Sequence, residues 1–520
     1  ALLSAALFGL ANPTPASADQ FMRHNSLLIS SSTYDKTQGA VANLTAGPAG
    51  TTLPGSATAT TKAVADNNYV NVWNNESVDA SFGVTSAIQL TSINLKNGKV
   101  YRTIQVPADQ VVTSFPSKSE IGLHVHNACK ADVGLPPGRR ADTPPACDNW
   151  SKVRVTFVGY ANAGVGNLDV SNSDAVPGQD STNPVTHAFG TSYAFRRTIV
   201  SVDWNGTIAY TPTNDYGGNN GRSALLGSNG LYYMVGNANN GSAAVFGAGN
   251  NTNPDVTETT GLVVVNPVDS AVVNAALPSA QSAEVDPLLQ YPLNKNGTLD
   301  KPGKDNNYRG LTEYGGALYF TKGSGSNGMD TVYTVQAPNS LPTVDNAASS
   351  SIVVVPGFPT DSARATGGDY TPFAVFFANA TTMYVTDEGT GDATDVSAHA
   401  GLQKWTRDNS GTWHLQYVLR NGLIGVVDSS LTGSDGPWPA VTTVGLRNLT
   451  GRINGDGTVT LWATTSTSST SGDNGADPNK VVEITDQVAA TQLSQVGSES
   501  FTTIAGPVYG KVYRGVGFVE

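Results

Sequence analysis

One unit recurs along this 520-residue chain and limits what it can fold into: a short apolar strand, often opened by arginine, then a turn, then a second strand that ends in a loop rich in Gly, Asn, Asp or Ser. The clearest copies are RSALLGSNGLYYMVGNANNG from Arg222, RGLTEYGGALYFTKGSGSNG from Arg309, TPFAVFFANATTMYVTDEGTG from Thr371 and RNLTGRINGDGTVTLWATTS from Arg447. A further copy begins SEIGLHV at Ser119 and resumes as VRVTFVGYANAG at Val153. Such a unit cannot bury its own apolar face, so copies must stack, either as an open array or as a circle. The second strands start near Leu231, Leu318, Met383 and Leu461. That spacing leaves room for four strands and their loops in each unit. Later strands are legible in GLVVVNPVDSAVV from Gly261, GLQKWTRDNSGTWHLQYVL from Gly401 and AIQLTSINLKNGKVYRTIQVP from Ala87, read as outer hairpins.

The two ends complete the pattern. YRGVGFVE from Tyr513 matches YRGLTEY from Tyr308, and SLLISSSTYD from Ser26 reads as a second strand with no first strand before it. The C-terminal strand is therefore expected to pair with the N-terminal blade, which removes the free edges an open array would expose. The fold class that follows is all-β, a single closed β-propeller. Opening strands at Ser119, Arg222, Arg309, Thr371, Arg447 and Arg514 make six blades. A seventh has room in Val41 to Gly83 or in THAFGTSYAFRRTIVSVDWNGTIAYT from Thr186. At the level of repeat shape, the chain resembles the broad group of exported propellers that includes gluconolactonase-like, NHL-like and YncE-like proteins. NLKNGKVYRTIQV from Asn94 is similar to the outer hairpin of the last. The resemblance implies a propeller and carries no catalytic residues with it.

ALLSAALFGLANPTPASADQ reads as a signal peptide trimmed at its start, residues 1–18, with Ala16 and Ala18 before the cleavage site. Residues 19–520 would be the propeller, with insertions near 41–83 and 127–150. Nothing later approaches the apolar length of a membrane span, so a secreted or periplasmic monomer is expected. In an oxidising compartment, Cys129 and Cys147 would form a disulfide pinning the second insertion. The formal charge of −12 and the scarcity of basic clusters argue against nucleic acid as a partner. Sequons for N-glycosylation occur at Asn43, Asn75, Asn149, Asn205, Asn379 and Asn448.

In a propeller, the loop entering each innermost strand and the loop leaving each second strand share one end of the central channel. Arg222, Arg309, Arg447 and Arg514 occupy equivalent strand-opening positions, and such guanidiniums repel unless anions lie among them. With Asn237 and Lys322 from the exit loops, they are the candidate ligand-binding set for a polar or anionic small molecule, a peptide or a glycan. The competing reading is that each arginine pins neighbouring blades. DEGTGDATD from Asp387 is the densest acidic loop, and Asp387, Glu388 and Asp392 are its candidate ligands for Ca²⁺. On that alternative the protein is a metal-assisted hydrolase, lactonase or lyase. His124 and His126 lie two apart on a strand and share a face, without an assignable third metal ligand. His399 follows the acidic loop as a candidate base. No nucleophile elbow or phosphate loop occurs, so whether the chain is an enzyme stays open at this point.

Overall fold

The computed structural model describes residues 20–33, 85–114, 119–126, 152–165, 170, 195–216, 220–237, 261–274, 277, 279–285, 307–323, 329–336, 341–360, 370–392, 398–433, 436–470 and 475–520. It is all-β, with antiparallel sheets arranged like the blades of a propeller. The first sheet runs Lys511–Val519, Ser26–Thr33, Thr85–Asn94, Val100–Gln105 from the inside out, so the last strand of the chain pairs with the first. The second runs His124–His126, Arg154–Ala161, Arg197–Asp203, Ile208–Pro212. A short strand, Val111–Ser114, bridges these two sheets.

The third sheet is Gly221–Leu226, Tyr232–Gly236, Val263–Val265, Ser282–Glu284. The fourth is Leu311–Tyr314, Ala317–Lys322, Thr331–Gln336, Ser351–Val354. The fifth is Pro372–Asn379, Thr382–Asp387, Gly401–Arg407, Trp413–Leu419, and the sixth is Val441–Ile453, Thr458–Ser469, Val481–Gln487, Thr502–Ala505. Each innermost strand lies against the innermost strand of the sheet that follows it, and that of the sixth lies against Lys511–Val519 of the first.

The alternation of side chains along the second strands explains this stacking. Leu27 and Ile29 pack with Trp462 of the sixth sheet, while Leu28 between them packs with Val155 and Phe157 of the second. Tyr232 and Met234 pack towards the second sheet, and Tyr233 and Val235 towards the fourth. Met383 and Val385 face the fourth sheet, whereas Tyr384 faces the sixth. These second strands are thus apolar on both faces, and each buried aliphatic or aromatic side chain contributes about 1.5–3 kcal/mol.

The fourth residue of the second-strand repeat carries a hydroxyl that reaches the inner strand of the next sheet. Ser30 donates to the carbonyl of Ile121 at 2.6 Å, Thr156 to Ala224 at 2.7 Å and Thr321 to Phe373 at 2.6 Å. Thr386 donates to the Arg447 carbonyl, and Thr464 to that of Arg514 at 3.4 Å. Between the third and fourth sheets the corresponding residue is Val235, which has no hydroxyl, and the backbone bond from Tyr308 N–H to the Gly236 carbonyl, 3.1 Å, joins the sheets instead. The glycine after arginine in the YRG copies has a related cause. A Cβ on Gly310 would lie 2.1 Å from the Phe373 carbonyl oxygen, and one on Gly515 2.4 Å from the Leu123 nitrogen.

Two readings of the outer strands are corrected. GLVVVNPVDSAVV is not a hairpin: Val263–Val265 pairs with Ser282–Glu284, leaving Val268 and Val272 exposed. The stretch after Thr186 that had room for a further blade instead supplies, in Arg197–Asp203 and Ile208–Pro212, the outer strands of the second sheet. The signal peptide, both insertions, Cys129, Cys147 and the sequons at Asn43, Asn75 and Asn149 lie outside the described residues. Asn205 sits exposed in a turn and Asn379 exposed at the end of the strand Pro372–Asn379, whereas Asn448 is buried in the sixth sheet. Among the described residues no helix is long and apolar enough to cross a membrane.

Candidate functional site

The start of the innermost strands gathers the predicted arginines at one end of the channel, here called the entry end. All four are buried, at 8% exposure for Arg222 and Arg309, 3% for Arg447 and 2% for Arg514. Glu388, on the second-strand exit of the fifth sheet, lies between two of them: one carboxylate oxygen pairs with Arg309, and the other accepts from Arg447 Nε at 3.2 Å. The fourth, fifth and sixth sheets are thereby tied together by one carboxylate. Arg222 bonds the side chain of Asn307, just ahead of Arg309. Arg514 donates to the Gly475 carbonyl at 3.0 Å. Burial lowers the Arg222 guanidinium to about 9, and the positive charge of Arg309 adds to the effect.

Asp387 precedes Glu388 but points elsewhere. It accepts from the backbone N–H and hydroxyl of Thr371, at 2.8 and 2.6 Å, and from the Gly389 N–H at 2.9 Å. Burial raises it to about 6, against the pull of those hydrogen bonds and of nearby His399. Asp392 lies on the loop beyond Gly389, whose left-handed backbone (φ 72°) makes the turn. Asp387 and Glu388 thus serve different partners. Among the described residues no three His, Cys, Asp or Glu side chains converge as metal ligands. Lys322 is buried in an ion pair with Asp330 at 2.8 Å, and Asn237 is held by a backbone bond to the Asn220 carbonyl at 2.8 Å.

One buried acid at this end escaped the sequence reading. Glu120, next to the expected strand opener Ser119, accepts from Thr113 Oγ1 at 2.6 Å, Ser114 N–H at 2.7 Å, Tyr160 Oη at 2.6 Å and Asn220 Nδ2 at 2.8 Å. Burial raises it despite all four bonds. Its partners come from three separate segments, so its sequence neighbourhood carried no signal.

Asn448 marks the division of the channel. Its Nδ2 donates to the Arg514 carbonyl at 2.5 Å, and its Oδ1 would stand 2.8 Å from a Cβ on Gly122, so the side chain crosses from the sixth sheet over the first to the second. Beyond it the channel widens into a cavity of about 320 Å³ at the opposite, exit end. Segments of all the innermost strands line it, among them His124 and His126, Leu225, Glu313, Phe377 and Phe518.

No family model matches the chain, and no curated protein matches it. Solved structures similar to it include the endo-arabinase of Bacteroides thetaiotaomicron (TM-score 0.26, 8% identity, 54% of this chain and 78% of that one). The GH32 β-fructofuranosidase of Bombyx mori gives a TM-score of 0.29 at 12% identity over 68% of this chain and 60% of that one. The haemagglutinin-neuraminidase ectodomain of parainfluenza virus 5 gives 0.35 at 9% identity over 74% and 73%.

Proposed function

We propose that this chain is an exported, monomeric, six-bladed propeller, closed by its C-terminal strand, that acts as a binding or scaffold protein and holds a polar or anionic ligand at the entry end of its channel. In support of the closed ring stand the pairing of Ser26–Thr33 with Lys511–Val519 and the hydroxyl bond from Thr464 to Arg514, which repeats the device used between other sheets. The observation that carries the binding reading is the crowding of cations: Arg309 and Arg447 share Glu388, and Arg222 lies near enough to Arg309 to be destabilised by it. A carboxylate, sulfate or phosphate group entering there relieves that repulsion.

Calorimetric titration with sulfate, inorganic phosphate and trigalacturonate tests the reading. At least one should bind, and Arg309→Met and Arg222→Met should each weaken it tenfold or more. Folded variants that bind as well as the parent would assign the arginines to blade pinning alone.

A second reading, a calcium-assisted hydrolase, lactonase or lyase at the same end, is favoured by one observation: Asp387 is a buried carboxyl raised to about 6, in the range of an acid–base group. Thermal unfolding with Ca²⁺ and then with chelator, together with assays on lactones, phosphate esters and polyuronates, separates the two. A midpoint indifferent to both and no turnover would eliminate the enzyme.

A further inference from the structure

We propose that the exit-end cavity is a second binding site, separate from the arginine cluster, which takes an uncharged polyhydroxylated ring such as a mono- or disaccharide. The cavity's volume of about 320 Å³ lies at the small end of ligand pockets. Its polar groups are individually held by neighbours that leave acceptor capacity. Glu313 receives both the backbone N–H of Ser228, at 2.9 Å, and its hydroxyl, which fixes the carboxylate in place. His126 Nδ1 lies 3.0 Å from the Leu226 carbonyl. A carbonyl only accepts, so Nδ1 carries the proton and Nε2 keeps its lone pair. His124 Nε2 is 2.6 Å from the Ser223 hydroxyl. Burial lowers both imidazoles, so at neutral pH they are uncharged.

The apolar part of the wall combines aliphatic side chains such as Leu225, Val375 and Leu449 with aromatic rings. Tyr314 and Phe377 stack with ring centres 4.3 Å apart at 9°. Phe518 stacks on Trp462 at 5.2 Å, and Arg452 lies 5.8 Å from the Phe518 ring centre. Fixed acceptors, hydroxyls from Thr312 and Thr450, and flat apolar rings spread around one circumference match a ligand that has hydroxyl donors at its rim and C–H faces above and below. An anion is disfavoured by Glu313. A compact ammonium would use Glu313 and leave the polar groups on the other sheets without a role.

The test is saturation-transfer NMR and calorimetry with maltose, cellobiose, lactose, sodium galacturonate and choline, on the parent protein and on Glu313→Gln, Tyr314→Ala and Arg309→Met. Glu313→Gln preserves shape and half the hydrogen bonding to Ser228, so it should fold. At least one neutral disaccharide should bind, weakened tenfold or more by Glu313→Gln and by Tyr314→Ala and unchanged by Arg309→Met. Failure of every neutral sugar at millimolar concentration would overturn the proposal. Binding of choline alone, or sugar binding lost in Arg309→Met but kept in Glu313→Gln, would overturn it too. Because Arg309 lies at the other end, this result is independent of whether the arginines bind an anion.

Discussion

The two ends of the channel are built from the same strands and differ in how they treat charge. At the entry end, four of the six inner strands carry a buried arginine, two of which share Glu388, and the neighbouring acids Glu120 and Asp387 are saturated with hydrogen bonds. Four strand residues further along, the same strands present aromatic rings, uncharged imidazoles and one carboxylate around open space. Convergence accounts for the contrast. Where strands approach until only glycine fits, as at Gly310 and Gly515, side chains before that point are forced together and must neutralise one another. Past it, the strands leave a volume that a ligand can enter. The entry end therefore couples stability to the anion binding proposed for it, while the exit end leaves open space among its polar groups.

The sharpest way to break this contrast is to remove one carboxylate from each end. Glu388→Ala leaves Arg309 and Arg447 buried without the carboxylate they share, and loss of one partner from a buried ion pair costs about 3–5 kcal/mol. Glu313→Ala removes a carboxylate from a half-buried rim whose partners at Ser228 are exposed, and should cost under about 1 kcal/mol. Denaturant unfolding of the two variants measures both. Equal losses would mean that the ends do not divide their labour in this way.

Acid should act on the two ends in opposite directions. Asp387 is raised from 3.8 to about 6, so its contribution to stability is complete below pH 4 and is lost as pH rises through 6. His124 is lowered from 6.5 to about 4, so its contribution is complete above pH 6.5 and is lost as pH falls through 4. At about 1.4 kcal/mol per pH unit, each is worth at most about 3 kcal/mol, and in the parent they largely cancel between pH 4 and 6. Relative to the parent, His124→Gln should gain stability as pH is lowered through this window, and Asp387→Asn should gain as it is raised. Difference curves of the same sign from urea unfolding at pH 4, 5, 6 and 7 would refute the assignment.

Much of this architecture can be read from the chain because it repeats. Apolar runs at Leu231, Leu318, Met383 and Leu461 announce second strands, and the likeness of Tyr513–Gly515 to Tyr308–Gly310 announces that the last strand is an inner one. The arginines could be placed at one end for the same reason. Their partners could not. Glu388 was read as a metal ligand because its loop is acidic, and only the approach of the fourth and sixth sheets turns it towards arginine. The hydroxyl at Ser30, Thr156, Thr321, Thr386 and Thr464 was present as a repeated position, but strands rich in Thr hide it. The exit cavity draws one short segment from each sheet, a juxtaposition with no local signature. The false hairpin after Gly261 has a simple cause: Val272 and Val273 continue an apolar pattern, yet the chain first bridges Tyr210 at Ser270 and pairs with Val263–Val265 only from Ser282.

The smallest expected effect concerns the wall that both ends share. Thr321 Oγ1 donates to the Phe373 carbonyl at 2.6 Å and accepts from the Gly310 N–H at 3.1 Å, so it joins the fourth and fifth sheets at the level where entry passes to exit. Thr321→Val keeps the shape and leaves a buried carbonyl without this donor, a loss of about 1–2 kcal/mol. Val235 occupies the corresponding position between the third and fourth sheets, where a backbone bond from Tyr308 to Gly236 joins them without a hydroxyl. Hydrogen exchange adds a spatial readout. If the wall is one mechanical element, Thr321→Val raises exchange at Gly310 and at Thr312 together, on the entry and exit sides of the same strand. Faster exchange on one side alone would mean that the two ends open independently, and that their difference in charge is matched by a difference in local stability.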